Sequence, residues 1–200
     1  MKIAIVTQGR FHAFDLAGAL LRRGHTVRLL TTYPKWAVRK FGLPDEIVEG
    51  FWLHGILFRI LHKLSLGGIL WNTPRFLDPM FGRWAARKVM RQNYDIVHGF
   101  SGVALELLTS RSAKSAHLVV RGSAHILVQD ELLADEGARA GRRVERPSPT
   151  IVERELLEYH LADCVVTLSR FAYDSFLDQG VPEDHMALLP LGVPRKAPIK

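Results

Sequence analysis

Six short, mainly apolar runs punctuate the sequence, at residues 3–7, 26–31, 94–98, 117–120, 164–168 and 186–189. Runs of this length, bounded by Gly, Ser, Pro or charged residues, have the pattern of strands buried on both faces. Stretches with helical spacing stand between them. Leu16, Ala19, Leu20 and Phe11 share a face; Arg22 and Arg23 close the last turn and Gly24 stops it. Over 79–92, Phe81, Trp84, Ala85 and Val89 form an inner side, and Arg83, Arg87, Lys88 and Arg91 a basic, solvated stripe. Ser101 is placed to cap a helix over 102–109, and Ser169 one that runs through Phe176 to Gly180. Thr150 and Glu153 make a capping box that starts a helix reaching Asp163. Strand and helix in alternation predict an α/β fold: a Rossmann-like, doubly wound, mostly parallel sheet with helices on both faces.

Two stretches break the alternation. Residues 33–79 are irregular, with a loop at 33–36 and a short strand at 46–49. Residues 51–71 are apolar except for Arg59 and Lys63 among full charges, and also hold His54 and His62. At helical spacing Leu53, Ile56, Leu57, Ile60, Leu61 and Leu64 make one broad apolar face, and Gly67-Gly68 interrupts it. This predicts a helical insertion at about 51–79. It is read either as a hairpin packed on the sheet or as a basic amphipathic surface that contacts an anionic membrane through 51–71. The second stretch, 129–146, is highly charged, with Gly137 and Gly141 and the cluster Arg139, Arg142, Arg143 and Arg146. It reads as a mobile loop with some helix.

A net charge of +7 on 200 residues points to anionic partners: phosphorylated ligands, acidic lipid or nucleic acid. Trp36, Trp52, Trp71 and Trp84 have apolar neighbours rather than an interleaved basic strand face, which makes nucleic acid an unlikely partner. The single cysteine, Cys164, lies in an apolar run; a buried reduced thiol predicts a cytoplasmic protein. Neither a signal-peptide core nor a run of about 18 uncharged apolar residues is present.

The candidate chemistry sits where strands end, because ligands of open α/β sheets bind outside the carboxyl ends of the strands. Residues 117–120 lead to Arg121-Gly122-Ser123 and then His125, a titratable imidazole just past a strand end. Arg121 has the geometry for bidentate phosphate contact, and Ser123 is a hydroxyl beside it. After the first strand the loop carries Gly9, Arg10 and His12. Gly9 alone is not the G-x-G-x-x-G fingerprint, which disfavours a dehydrogenase; it serves either the turn or a close approach to ligand. Arg154 and Glu158 at i, i+4, with Glu155, read as a surface ion-pair set. Zinc spacing, a nucleophile elbow and a phosphate-binding P-loop are all missing, so neither a metal nor a cofactor is expected.

Four segments resemble glycosyltransferase family 4, a large retaining family with the GT-B fold. They are Tyr94-Asp95-Ile96-Val97-His98; Glu158-Tyr159-His160-Leu161-Ala162-Asp163 followed by Leu168-Ser169; Gly180-Val181-Pro182 with Leu189-Pro190-Leu191-Gly192-Val193; and the helix exit Arg23-Gly24-His25-Thr26-Val27. The resemblance covers most of the chain outside 33–90. It implies that residues 1–194 are an acceptor-side N-terminal domain and that 195–200 start a linker or tail. The nucleotide-sugar donor would be bound mainly by a C-terminal domain missing from this chain, so that the chain alone is inactive. It also implies that His125 contacts the donor sugar at the reacting centre, supporting the departing phosphate if protonated, and that His98 belongs to the substrate site. The acceptor would be a saccharide or lipid-linked saccharide of the cell envelope, at the inner membrane face. Two positions depart from the family pattern: Gly9-Arg10 stands where Gly-Gly is common, and Phe100 where a second histidine is common. The alternative is a non-enzymatic basic module that binds anionic lipid or nucleic acid. By either reading His125 is exposed to solvent in this chain.

Overall fold

The structure is a computed structural model that describes residues 1–63 and 73–192, with the side chains of 58, 59, 61–63 and 73–76 left out. Seven strands form one wholly parallel sheet: β1 (Lys2–Thr7), β2 (Thr26–Thr31), β3 (Val48–Gly50), β4 (Ile96–Phe100), β5 (Ala116–Arg121), β6 (Cys164–Thr167) and β7 (Met186–Leu188). Their order is β3-β2-β1-β4-β5-β6-β7, so the chain direction across the sheet reverses between β1 and β4. The six apolar runs all became strands. The seventh, β3, has only three residues, because a 3-10 turn at Asp45–Ile47 takes up the first part of the short strand expected there. In β1 every residue from Ile3 to Thr7 is buried, and in β4 every residue from Val97 to Phe100. Consecutive burial means that both faces of the sheet are covered there.

Helix α1 (Ala13–Arg22) buries Ala13, Phe14 and Ala17. Leu16 and Leu20 of the expected face pack against the same core while partly exposed, and Phe11 lies in the loop before the helix. Gly24, at φ +80°, makes the left-handed exit that a residue with a side chain would adopt only under strain. After α2 (Lys35–Arg39) come α3 (Trp52–Lys63) and α4 (Thr73–Val89). The latter starts six residues earlier than periodicity indicated and carries Pro79 inside it. The expected apolar face of α3 does not pack on the sheet. Leu53, Ile56, Leu57 and Ile60 are exposed, and the buried residue is His54 at 2% exposure, with Nε2 2.8 Å from the Leu77 carbonyl oxygen. Leu64 and Gly67-Gly68 lie outside the described residues, as does everything from Val193 onward. No helix among the described residues is long and apolar enough to cross a membrane.

Three further expectations are corrected in the second half. The helix after β4, α5 (Leu105–Thr109), starts at Leu105 with Ala104 as its cap and not at Gly102 behind Ser101. The stretch 129–146 is not chiefly a loop. It begins inside α6 (Ile126–Ala140), a regular 15-residue helix closed by Gly141 in the left-handed conformation, the usual helix terminator. Helix α7 (Pro149–Leu161) is capped by Ser148, whose hydroxyl accepts from Ile151 N–H, with proline at its first turn. Helix α8 (Arg170–Asp178) is capped by Ser169 as expected.

Candidate functional site

Reversal of strand order between β1 and β4 leaves a crevice at their carboxyl ends, the position that binds ligands in open α/β sheets. Its rim is made by the loop after β1 (Gln8 to His12), by Phe100-Ser101-Gly102 after β4 and by Arg121-Gly122-Ser123 after β5. The sequence-derived candidates Gly9, Arg10, His12, Arg121 and Ser123 thus all come to the carboxyl side of the sheet. They divide into two groups, one after β1 and one after β5.

The first group is aromatic. Phe11 is the only non-glycine residue with positive φ, +38°, among the described residues, and it is 67% exposed. Its ring folds back over Gly9 and stacks on Phe100 with centroids 5.5 Å apart. A Cβ at residue 9 would lie 2.6 Å from Phe11 Cε2, so Gly9 is where it is because an aromatic ring occupies the space over it. His12 lies against the same Phe100 at 4.9 Å, and burial lowers its pKa against the pull of Asp15. Arg10 is half-exposed, 4.2 Å from the centre of the Phe41 ring and 3.7 Å from Asp15. His98 lies one layer deeper in β4, edge-on to Phe100 at 5.9 Å and 5% exposed. Burial, followed by the charge of His12, pushes its pKa down to about 4, so the ring is neutral. Among the described residues, its Nε2 finds no hydrogen-bond partner.

In the second group, Arg121 is already committed to protein partners. Its Nε donates to the Ala124 carbonyl at 3.3 Å, and Nη1 to Ser101 Oγ at 3.4 Å and to Glu155 at 3.1 Å; Nη2 donates to Gln129. Ser123 donates to the same Gln129 oxygen at 2.9 Å. Four of the five N–H donors of a guanidinium are thereby used inside the protein. His125 is not exposed: at 3% it packs edge-on against Phe176 and beside Tyr159, with centroids at 4.8 and 5.2 Å. Its backbone N–H donates to Ser175 Oγ at 2.9 Å, and its Nδ1 accepts from Leu127 N–H at 3.4 Å as the cap of α6. An accepting Nδ1 leaves the proton of the neutral ring on Nε2. Burial and then Arg121 push the pKa down to about 4. The imidazole is therefore uncharged at neutral pH, contrary to a role as a cation.

Beneath the rim lies a network that the surface ion-pair reading missed. Arg154, Glu155 and Glu158 are buried, Glu158 fully so. Glu158 accepts from three backbone N–H groups of the crevice wall: Gly102 at 2.6 Å, Ala104 at 2.9 Å and Leu105 at 2.9 Å. It does for the segment before α5 what a capping side chain does for a helix end, from a distance of more than fifty residues in sequence. Arg154 donates from Nε to the Gly102 carbonyl and grips Glu106 with both Nη groups; its Nε is also 3.5 Å from Glu158. Glu155 takes Arg121 on one oxygen and the Tyr159 hydroxyl on the other. On α4, Asp78 accepts from Gln8 Nε2 at 2.9 Å, tying in the β1 loop. Asp78, Glu106, Glu155 and Glu158 thus face only Arg121 and Arg154 within this network. Burial raises the pKa of Glu155, that of Asp78 to about 6 and that of Glu158 to about 8, against the Gly102 N–H and Arg154. Sequence carried one signal for this: Val152, Glu155, Tyr159 and Ala162 recur at i, i+3, i+7, i+10, so the acids lie on the apolar stripe of α7.

The family model described as Glycosyltransferase Family 4 matches residues 10–196. No curated protein matches the sequence. Among solved structures, the chain is similar to the UDP-GlcNAc 2-epimerase of Methanocaldococcus jannaschii (14% identity, TM-score 0.58, 94% of this chain and 45% of that one). It is also similar to the UDP-GlcNAc 2-epimerase of Neisseria meningitidis bound to UDP-GlcNAc (11%, 0.55, 94% and 45%). A third is Phytolacca americana UGT2 complexed with UDP-2fluoro-glucose and pterostilbene (12%, 0.53, 96% and 53%). At these identities the likeness is one of fold. The chain spans about half the length of each of these proteins.

Proposed function

The chain belongs to glycosyltransferase family 4, and from that premise we propose that it forms the acceptor-side domain of a retaining, nucleotide-sugar-dependent glycosyltransferase. The observation that carries this reading is the crevice at the β1/β4 reversal, walled by Gln8 to His12 and by Ser101-Gly102. In the reaction proposed, an acceptor hydroxyl replaces the nucleoside diphosphate on the anomeric carbon of the donor, and the proton leaves with the solvent or the departing phosphate. The donor is held mainly by a second domain, so residues 1–194 act as one domain and transfer nothing alone. His125, with Nδ1 engaged as a cap, offers Nε2–H as a neutral hydrogen-bond donor to the donor sugar; an imidazolium is not used, because burial keeps the ring uncharged. Arg121 acts from inside the protein, tying Ser101 of the β4 wall to Ala124 behind it, and Arg10, with its half-exposed guanidinium, meets anionic groups of the substrate.

The acceptor we assign is a saccharide or lipid-linked saccharide at the cytoplasmic membrane face, as in cell-envelope polysaccharide synthesis. Supporting the membrane part is the outward face of α3, where Trp52, Leu53, Ile56, Leu57 and Ile60 are all exposed on a chain of net charge +7. Two measurements test the reading. Ligand-detected NMR of the purified chain is expected to show weak glycoside binding, and a radiolabelled nucleotide-sugar assay to show no transfer; transfer by the chain alone sinks the half-enzyme part. Flotation with anionic vesicles should recover the chain, and Leu53→Ser with Leu57→Ser should weaken that recovery; failure of the unaltered chain to float removes the membrane part.

A further inference from the structure

Three observations at the β1/β4 crevice belong together. Phe11 holds a backbone conformation that residues with a Cβ rarely adopt, yet two thirds of it is exposed, so packing does little to hold it there. Its ring fills the one place on the β1 loop where a glycine bares the backbone. His98, edge-on to the same Phe100 ring, is sealed from water with Nε2 unpartnered among the described residues. A strained, exposed ring and an unsatisfied nitrogen both make this closed arrangement less favourable than one in which the ring swings out and a hydrogen-bonding group comes in.

We propose that Phe11 is the cover of a hydroxyl-binding pocket whose floor is the Gly9 backbone and whose inner wall holds His98, and that a polyhydroxylated ligand enters by lifting the ring and gives His98 Nε2 its partner. In the terms of the proposed function, on which this inference rests, the ligand is the acceptor saccharide. The chemistry fits. A neutral imidazole accepts from or donates to a sugar hydroxyl without requiring charge. Phe100 and His12, left behind as the ring departs, offer flat apolar faces of the kind that C–H-bearing pyranose faces stack on. Gly9 supplies backbone that a ligand can approach closely once Phe11 has left. The side chain that blocks the pocket is thus the one that also selects for it: only a ligand that satisfies His98 compensates for losing the Phe11–Phe100 stack.

The test uses the full 200-residue chain, 15N-labelled at histidine, and methyl glycosides of glucose, galactose, mannose and N-acetylglucosamine as probes. Long-range 1H–15N spectra follow the His98 ring. At least one glycoside is expected to shift the His98 Nε2 resonance, and Phe11→Ala to tighten that glycoside's Kd about three- to tenfold, because no ring need be displaced. Glycoside shifts confined to other residues, or weaker binding by Phe11→Ala, overturn the cover while leaving the acceptor domain intact. Failure of every glycoside to perturb either protein overturns the acceptor reading and this inference together. Ligand-free spectra give an independent measure: opening the pocket by Phe11→Ala admits water to His98, and its titration midpoint is expected to rise from about 4 to above 5. An unchanged midpoint means that Phe11 does not seal His98, and the proposal falls.

Discussion

Replacing Glu158 by alanine removes the single group on which three backbone amides of the crevice wall depend. Gly102, Ala104 and Leu105 N–H all donate to this carboxylate, at 2.6 to 2.9 Å, and the side chain is completely buried. With its pKa raised to about 8 the group is mostly neutral at pH 7; hydrogen bonds of that kind contribute about 0.5–1.5 kcal/mol each, and a buried donor left unpaired costs about 1–3 kcal/mol. Some of that returns when water enters the space vacated, and Arg154 keeps its grip on Glu106. With three buried donors left unpaired, the net loss is expected to be about 3–5 kcal/mol. That is a large share of the roughly 5–15 kcal/mol that holds a domain folded, and it corresponds to a fall in Tm of about 10–15 °C for a chain of this size. Urea denaturation followed by circular dichroism measures the loss, with Arg170→Ala as a control that breaks an exposed pair and is expected to change nothing measurable. Amide exchange supplies the local readout, since Gly102, Ala104 and Leu105 should lose protection before the strands do. A loss under about 1 kcal/mol, with those amides still protected, would refute the account of Glu158 as the clamp of this wall.

Asp78 gives a pH dependence of defined sign. Its folded pKa is raised from 3.8 to about 6 by burial, so the stability linked to it is fully present below the unfolded value and is lost as pH rises through 6. Asp78→Asn, which keeps an acceptor for Gln8, is expected to match the wild type at pH 4 and to become more stable than it by up to about 3 kcal/mol above pH 7; parallel urea titrations that show a constant gap would contradict this. Gly82→Ala puts a Cβ 2.0 Å from Glu106 Oε2, and because Glu106 is held by Arg154 it cannot simply move aside. A loss of about 2–4 kcal/mol is expected from the disturbed buried pair, and thermal melts within 2 °C of the wild type would show that Glu106 is freer than its contacts indicate.

The strands were the legible part. A run such as Ile3-Ala4-Ile5-Val6 has no polar face to turn outward, so it can only be interior strand, and all six such runs took that form. Helix existence was legible too, but not helix ends: Ser148, not Thr150, caps α7, and Ser101 lost its expected cap role because Glu158 arrives from elsewhere in the chain. That is the general reason the rest was hidden. Charge pattern assigns Arg154 and Glu158 to each other at i, i+4, and they are near each other; what it omits is that α5, the turn before it and α4 pack over them, which turns a surface pair into a buried network. His125 was hidden in the same way. Its place after β5 was correct, but Tyr159 and Phe176, which bury it, come from α7 and α8. Gly9 shows the opposite case, in which a local feature had a local cause: the neighbour that needs the space is Phe11, two residues away.

The clamp also sets an order of assembly. Gly102 and Glu158 are 56 residues apart, and Gln8 meets Asp78 across 70. As the chain leaves the ribosome, β1, β2 and β4 can pair, and Asp78 can tie the β1 loop, while the loop after β4 still lacks the carboxyl group that shapes it. The binding end of the sheet therefore takes form late, only once α7 has been made and docked, and until then the amides of residues 102–105 stay in water. Long-range closures of this kind slow folding and prolong exposure of partly formed structure. A nascent chain stopped before α7 would carry the sheet without the clamp on Gly102, Ala104 and Leu105.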